Sequence, residues 1–321
     1  MPPAYIYPGQ GSQSTGMGRA LASFSPAAAA VWGRADEALG EPISRLAWEG
    51  PKEVLDLTVN AQPALLAASI AAQAALQEAQ SRWGDVERLG AASFYAGHSM
   101  GQYSAMVATG VIDFADGLRL VRERGRLMQA SSGDGAMAAI IGLDEARIPD
   151  LVAIGEAEGV ITVANRNSPG QIVVSGQRAA VEAAAAGAKG LGARRGLVLP
   201  VSVAAHSPLM AEAAAGMELA VAGVTFNEPS AMLLANADAS PLRTAKACRA
   251  ELIDHLTRGV DWVRAVEHMA DSGVSTFVEV GPGKVLTGLI RRIVPDATTI
   301  TIDDITTEDG IVVPTSTPGQ E

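Results

Sequence analysis

Cysteine is almost missing from this 321-residue chain. Cys248 stands alone, so no internal disulfide can form, and its helical surroundings read as ordinary packing of a small side chain. Basic residues are outnumbered: 24 Lys and Arg against 35 Asp and Glu leave a net charge of −11, which argues against a nucleic-acid partner. Apolar runs are short. The stretch 64–76 is Ala-rich and interrupted by Gln73, and it falls below the roughly 20 residues a bilayer span requires, so no membrane association is expected. The opening MPPAYIYPGQ has neither a basic segment nor a long apolar core. A secretory signal is therefore not expected, and a cytoplasmic location is. No His/Cys/carboxylate cluster has ligand spacing, so no metal is expected. Neither G-x-x-x-x-G-K nor G-x-G-x-x-G occurs, and there is no internal repeat.

What is present suits a compact α/β enzyme: 48% hydrophobic residues, only 18% charged, with abundant Ala and Gly. The length allows one large domain with an insertion, or two domains. Tyr5-Ile6-Tyr7 reads as a first strand, and 61–82 as a long helix with Pro63 in its first turn. A second strand is expected over 91–96. Helices follow over Gln102–Thr109, closed by Gly110, and from an Asp113 cap to Met128. The order then changes. Strands at Met137–Ile141, Ile161–Ala164, Gln171–Ser175 and Leu197–Val203 alternate with helices over Asp144–Glu158 and Gln177–Lys189. That is β-α-β-β-α-β, a self-contained ferredoxin-like unit. Residues 134–203 are accordingly expected to form a small domain inserted into a larger one made of 1–133 and 204–303. The larger part continues with a strand over Thr276–Val280 and a helix over Lys284–Val294. Residues 304–321 read as a loose polar tail.

The stretch FYAGHSMGQYSAM, 94–106, concentrates the chemistry. G-x-S-x-G alone is a weak signal. Here it lies between a strand and a helix, the setting of a nucleophile elbow, in which Ser99 Oγ is pushed out above the sheet edge. Four histidines compete to serve as its base. His268 reads as part of a solvated helix face, and His255, beside Glu251 and Arg258, is ambiguous. His98 is badly placed to reach back to Ser99. His206 follows the apolar run LVLPVSV among small residues. It is either a base at a strand end or a structural turn histidine. No acid between 99 and 206 stands at a strand end, so a Ser-His dyad fits better than a triad. Arg124 projects from the apolar stripe of its helix, flanked by Leu120, Val121, Leu127 and Met128. A guanidinium there needs an anion, either a buried carboxylate of the chain or a carboxylate of a substrate. The turn Pro8–Gln13 can offer backbone N–H groups to an oxyanion.

PGQGSQ, Gln62-Pro63, GHSMG, RERGRLMQ, NSPGQIVVSG, VSVAAHS and VEVGPGKVLTGLIRRI, in this order, resemble the malonyl-CoA:acyl carrier protein transacylases over nearly all of residues 4–295. The resemblance implies an α/β-hydrolase-like domain carrying a ferredoxin-like one. It implies Ser99 as acyl acceptor, His206 as base, the N–H groups of Gln10 and Met100 as oxyanion donors, and Arg124 as the grip on malonate. Gln62 and Asn167 match positions lining the site. The family orients its histidine with a backbone carbonyl, commonly of a Gln, and the matching position here is His255. Malonyl-CoA is then the substrate and acyl carrier protein the partner, with no further cofactor and a monomer expected. An acidic carrier needs a local basic patch on this acidic chain. Lys189, Arg194, Arg195, Lys284, Arg291 and Arg292 are the candidates. The rivals are a free-standing acyltransferase of polyketide assembly and a serine esterase or thioesterase.

Overall fold

A computed structural model describes residues 1–83, 92–131, 133–302, 306–307 and 310–311. The strands, in chain order, are β1 Ala4–Tyr7, β2 Phe94–Gly97, β3 Gly135–Ile141, β4 Ile161–Ser168, β5 Gln171–Gln177, β6 Arg195–Val198, β7 Met232–Leu234, β8 Pro241–Leu242, β9 Val260–Asp261, β10 Thr276–Glu279 and β11 Thr298–Thr301. They build two sheets. The first runs β11-β10-β1-β2-β7-β8 and is parallel except at β7/β8. All four residues of β1 are buried, because helices cover both faces. Tyr5 and Tyr7 enter one core with the Ala-rich helix Thr58–Trp83. Ala4 and Ile6 enter the other, with Trp262, Val266 and Ile290.

The second sheet runs β6-β3-β5-β4-β9. It encloses its own core, in which Ala138, Ile140 and Val174 meet Leu151, Val181 and Ala184 from the helices Ile148–Glu156 and Arg178–Gly187. β9 comes from beyond residues 134–203. It pairs parallel to β4, Asn165 with Val260 and Arg166 with Asp261, while the Asp261 N–H donates to the carbonyl of Asn236 just past β7 (2.8 Å).

Several elements differ from the expected ones. The strand expected over Leu197–Val203 is β6, Arg195–Val198, and it stops short. Pro200, which has no N–H, cannot continue a ladder, so His206 sits in a loop rather than at a strand end. β4 extends to Ser168, with two register shifts on the way. The expected helix Asp144–Glu158 begins as a short 3₁₀ turn, Glu145–Arg147, before Ile148–Glu156. The long helix starts at Thr58, which moves Pro63 into its second turn. Its stretch Thr58–Gln80 is longer than the apolar runs suggested, and long and apolar enough to cross a bilayer. It is instead the core helix, with Ala64, Ala67, Ala68, Ala71 and Ala75 buried. Residue 91 of the expected second strand lies outside the described residues. So does most of the 304–321 tail, apart from a two-residue ladder of Thr306–Thr307 with Gly310–Ile311.

Candidate active site

The end of β2 is the foundation of the site. Tyr7 and Gly97 are the last register pair of β1 and β2, and the His98 N–H still donates to the Tyr7 carbonyl (3.0 Å). The chain then turns into the helix Gly101–Ala108 so sharply that a Cβ on Gly97 would lie 2.0 Å from the Gly101 carbonyl carbon. A Cβ on Gly101 would lie 2.2 Å from the Tyr7 oxygen. Only glycine permits these approaches. Between them Ser99 takes a left-handed backbone, φ 51°. The helix closes as expected at Gly110, φ 74°. The N–H groups of Met100 and Gln10 have no hydrogen-bond acceptor among the described residues, and Gln10 lies exposed in the neighbouring turn.

Ser99 Oγ lies 2.8 Å from Nε2 of His206, which also has a left-handed backbone, φ 60°. The other ring nitrogen, Nδ1, is 2.9 Å from the carbonyl of His255 and 2.9 Å from that of Arg258. Two carbonyl acceptors fix the proton on Nδ1, which leaves the Nε2 lone pair for the Ser99 hydroxyl. His206 is buried. Desolvation, reinforced by the charge of Arg124, pulls its pKa down to about 3, so the ring is neutral near pH 7. No carboxylate takes part in orienting it among the described residues.

Arg124 is 1% exposed on the helix Phe114–Ala130, which Asp113 caps through the Ala115 N–H (2.8 Å). Its Nη2 donates to Ser99 Oγ at 3.3 Å, its guanidinium lies 5.9 Å from the centroid of the Tyr103 ring, and its Nε has no partner. Among the described residues no carboxylate pairs with it, so a buried structural ion pair is not what this arginine makes. Burial lowers its pKa, yet a guanidinium does not lose its proton in a protein. This cation faces the Ser99 hydroxyl with no counter-charge among the described residues. One turn on from Arg124, the Met128 sulfur accepts from Gln62 Nε2 (3.5 Å), and the Gln62 carbonyl oxygen is left unpaired and buried. Asn167 does not contact the serine. Its Oδ1 is 2.8 Å from Nε2 of His98, whose ring lies edge-on to Trp262, and this explains why His98 does not serve Ser99. His268, expected to be solvated, is half-buried with its ring against Phe94.

Three participants went unassigned in the sequence. Tyr103 lies under Arg124 with its hydroxyl buried, which pushes its pKa to about 12. Arg258 contributes only its carbonyl, which no residue type betrays. Asn236, two residues beyond β7, accepts from the Ser99 N–H at 2.9 Å. Its position just past a strand end was the signal available.

The chain is similar to known proteins over nearly its whole length. A family model described as "Acyl transferase domain" matches residues 4–315. Over 303 residues the chain is 43% identical to the malonyl CoA-acyl carrier protein transacylase of Escherichia coli (strain K12), covering 94% of this chain and 96% of that one. The crystal structure of an acyl-carrier-protein S-malonyltransferase from Bartonella henselae matches with a TM-score of 0.88 at 41% identity, covering 94% and 95% of the two chains. A malonyl-transacylase in complex with a type II PKS acyl-carrier protein matches with a TM-score of 0.88 at 40% identity, covering 95% and 96%.

Proposed function

Since the chain belongs to the acyl transferase family, among the malonyl CoA-acyl carrier protein transacylases, we propose that Ser99 carries the malonyl group between coenzyme A and the carrier's pantetheine thiol. The enzyme is a malonyltransferase. The observation that carries the choice of acyl group is Arg124, buried without a carboxylate partner and 3.3 Å from Ser99 Oγ. Malonate offers a free carboxylate at the end of the acyl chain, and a planar guanidinium can bind it through two parallel N–H···O bonds.

Each step then has a residue. Ser99 Oγ attacks the thioester carbonyl carbon while its proton passes to Nε2 of His206. The new oxyanion lies against the N–H groups of Met100 and Gln10, where losing one donor typically costs ~10²–10³ in rate. Collapse breaks the C–S bond, His206 returns the proton to the departing sulfur, and a malonyl-serine remains. The pantetheine thiol of acyl carrier protein reverses these steps, which gives ping-pong kinetics. The carbonyls of His255 and Arg258 hold His206 in one tautomer throughout. No cofactor beyond the CoA carrier of the substrate is needed.

The catalytic role falls to an α/β-hydrolase-like domain of 1–133 and 204–303, and residues 134–203 form a ferredoxin-like domain beside it. The β6-β3-β5-β4 order with two covering helices supports that division. Gln62 and Asn167 line the acyl pocket. The six basic residues named above are exposed and suit an acidic carrier. The enzyme acts as a cytoplasmic monomer without nucleic-acid or membrane partners. Fatty acid synthesis is the proposed pathway. The match to a transacylase bound to a type II PKS carrier gives polyketide assembly as a second reading, with the same chemistry and a different carrier. The decisive measurement is intact mass after mixing with malonyl-CoA, followed by transfer to holo acyl carrier protein. One malonyl increment that moves to the carrier is expected, and no increment would sink the proposal.

A further inference from the structure

Behind the elbow lies a buried polar cluster that the steps above do not use. β2 and β7 pair only at Phe94 with Met232 and Tyr95 with Leu233. Past that point the strands separate, and the Gly97 carbonyl and the Ser99 N–H have no ladder partner on that side. Asn236 supplies both. Its Oδ1 accepts from the Ser99 N–H at 2.9 Å, and its Nδ2 donates to the Gly97 carbonyl at 2.9 Å. One planar amide thus spans the elbow's first and third residues. Asn236 is itself anchored on three sides. Its N–H donates to Glu251 Oε1 (2.7 Å), its carbonyl accepts from the Asp261 N–H (2.8 Å), and Nε2 of His255 lies 3.4 Å from its Oδ1. Gln102 completes the cluster, donating to the Leu234 carbonyl (2.8 Å) and accepting from the Gly97 N–H (3.3 Å).

We propose that Asn236 is a positioning residue for malonyl transfer, its amide holding Ser99 in the left-handed backbone that aims Oγ at His206. Resting on the assignment of Ser99 as nucleophile, this adds a reason for the elbow's rigidity. A non-glycine residue at φ 51° sits in a costly region, and such strain persists only where neighbours over-determine it. The same bridge turns the Ser99 N–H away from the acyl group and leaves the Met100 N–H as the elbow's free donor. The orientation of the amide is dictated, since reversing it would set Nδ2 against an N–H and Oδ1 against a carbonyl.

The test is the single-turnover rate of malonyl-enzyme formation, read by intact mass over a range of malonyl-CoA concentrations. Asn236→Ala is expected to slow acylation by roughly 10², the scale of an ~1 Å misplacement of a reacting group. The half-saturating malonyl-CoA concentration should stay unchanged, since Asn236 does not touch Arg124. Asn236→Asp separates positioning from packing. Protonated, its carboxyl reproduces the amide, with O–H to Gly97 and C=O to Ser99; ionised, it opposes the Gly97 carbonyl. The variant's rate relative to wild type should therefore climb as pH falls from 8 towards 5. The titratable and charged groups facing this spot are Glu251 and His255, with Asp238, Asp254 and Arg258 around Glu251 and with Arg124, His206 and His98 around His255. All are present in both proteins, so the ratio isolates the new carboxyl. A wild type that takes no malonyl label would reject the nucleophile assignment itself. A wild type that labels while Asn236→Ala acylates equally fast, or loses only affinity, overturns the role of Asn236. Should Asn236→Ala fail to fold, the Asn236→Asp ratio decides alone, and a ratio flat with pH overturns it.

Discussion

Ser99 and His206 meet at 2.8 Å, Oγ to Nε2, and each holds a left-handed backbone, φ 51° and φ 60°. Neither is glycine, so both pay steric strain of ~1–3 kcal/mol to be placed there. The hydrogen bonds of the Ser99 N–H to Asn236 and of His206 Nδ1 to the carbonyls of His255 and Arg258 hold both residues there against that strain, with Oγ and Nε2 aligned. Ser99→Ala should abolish malonyl labelling while keeping the strain. Ser99→Gly should abolish it too, yet relieve the clash and unfold at higher urea, by about 1 kcal/mol relative to Ser99→Ala. Labelling by intact mass and urea midpoints check both halves. Labelled Ser99→Ala protein would remove Ser99 from the chemistry.

His206 carries a second expectation, in its pH dependence. Its pKa of about 3 means that the base stays unprotonated far below the ordinary 6.5 of histidine. Acylation should therefore not fall off near pH 6.5 on its account. His206→Ala should cost ~10²–10⁴ in acylation rate, the usual worth of general-base help. A wild-type rate that halves at pH 6.5 would show that the ring titrates as though exposed.

Stability should respond where activity does not. Burial lowers the pKa values of His98, His206 and His255 alike. Between pH 6.5 and the lowered values the unfolded chain holds protons that the folded chain rejects, so stability drops as pH falls, by up to about 1.4 kcal/mol per pH unit per histidine. Glu251, raised to about 7, and Glu279, raised to about 6, act in the opposite sense. Each holds a proton in the fold that the unfolded chain has released, and this favours the fold below the raised pKa. The wild-type slope is thus a sum, and the variant His255→Gln isolates one contribution. It keeps the carbonyl that holds His206, so acylation should change little, and the loss of melting temperature between pH 7 and 5 should shrink. An unaltered slope would mean that His255 is not held neutral; a collapse of activity in a folded protein would make its side chain part of the machinery.

Much of this site is written in local sequence. The elbow is legible because an apolar run, two flanking glycines and a helical repeat lie within thirteen residues. Arg124 stood out because its helical neighbours are apolar. Its choice between ion pair and receptor was not legible, because that depends on which carboxylates the fold brings near. Asn236 was hidden for a similar reason: its partner Ser99 is 137 residues away, and nothing in ANADA itself points to that partner. The stretch 199–203 ahead of His206 reads as strand because LVLPVSV has the right composition, and Pro200 ends the ladder instead. β9, only two residues long, starts at Val260 and joins the sheet of 134–203, whose other strands end by Val198, which no local pattern encodes.

Two glycines give a paired prediction about packing. A Cβ at Gly101 would lie 2.2 Å from the Tyr7 carbonyl oxygen, a backbone atom that cannot swing aside. Gly101→Ala should destabilise by more than the ~1–3 kcal/mol of ordinary overpacking and disturb the elbow with it. At Gly288, in the helix Val285–Ile293, nothing lies within 4 Å of an added Cβ. Gly288→Ala should stabilise by roughly 0.5–1 kcal/mol through helix propensity. Urea unfolding checks both, and equal effects would contradict the close approach.

The proposed choice of acyl group rests on Arg124. The guanidinium is buried, points at Ser99 Oγ from 3.3 Å, and has no carboxylate partner among the described residues. A malonyl group on Ser99 carries its free carboxylate two carbon–carbon bonds beyond the ester carbonyl carbon. An acetyl group leaves the cation desolvated and unpaired. Breaking such a buried pair costs ~3–5 kcal/mol, about 10²–10⁴ in relative rate. The wild type should therefore prefer malonyl-CoA to acetyl-CoA by that order. Arg124→Ala should lose most of the malonyl rate and gain relative activity on acetyl-CoA, because the penalty for an uncharged acyl group goes with the charge. Arg124→Lys should recover only part of the preference, since an ammonium cannot form the two parallel bonds of the guanidinium fork. The measurement is kcat/KM for both thioesters, with melting curves to establish folding. A malonyl-to-acetyl ratio unmoved by Arg124→Ala in a folded protein would strip the arginine of its role as carboxylate receptor.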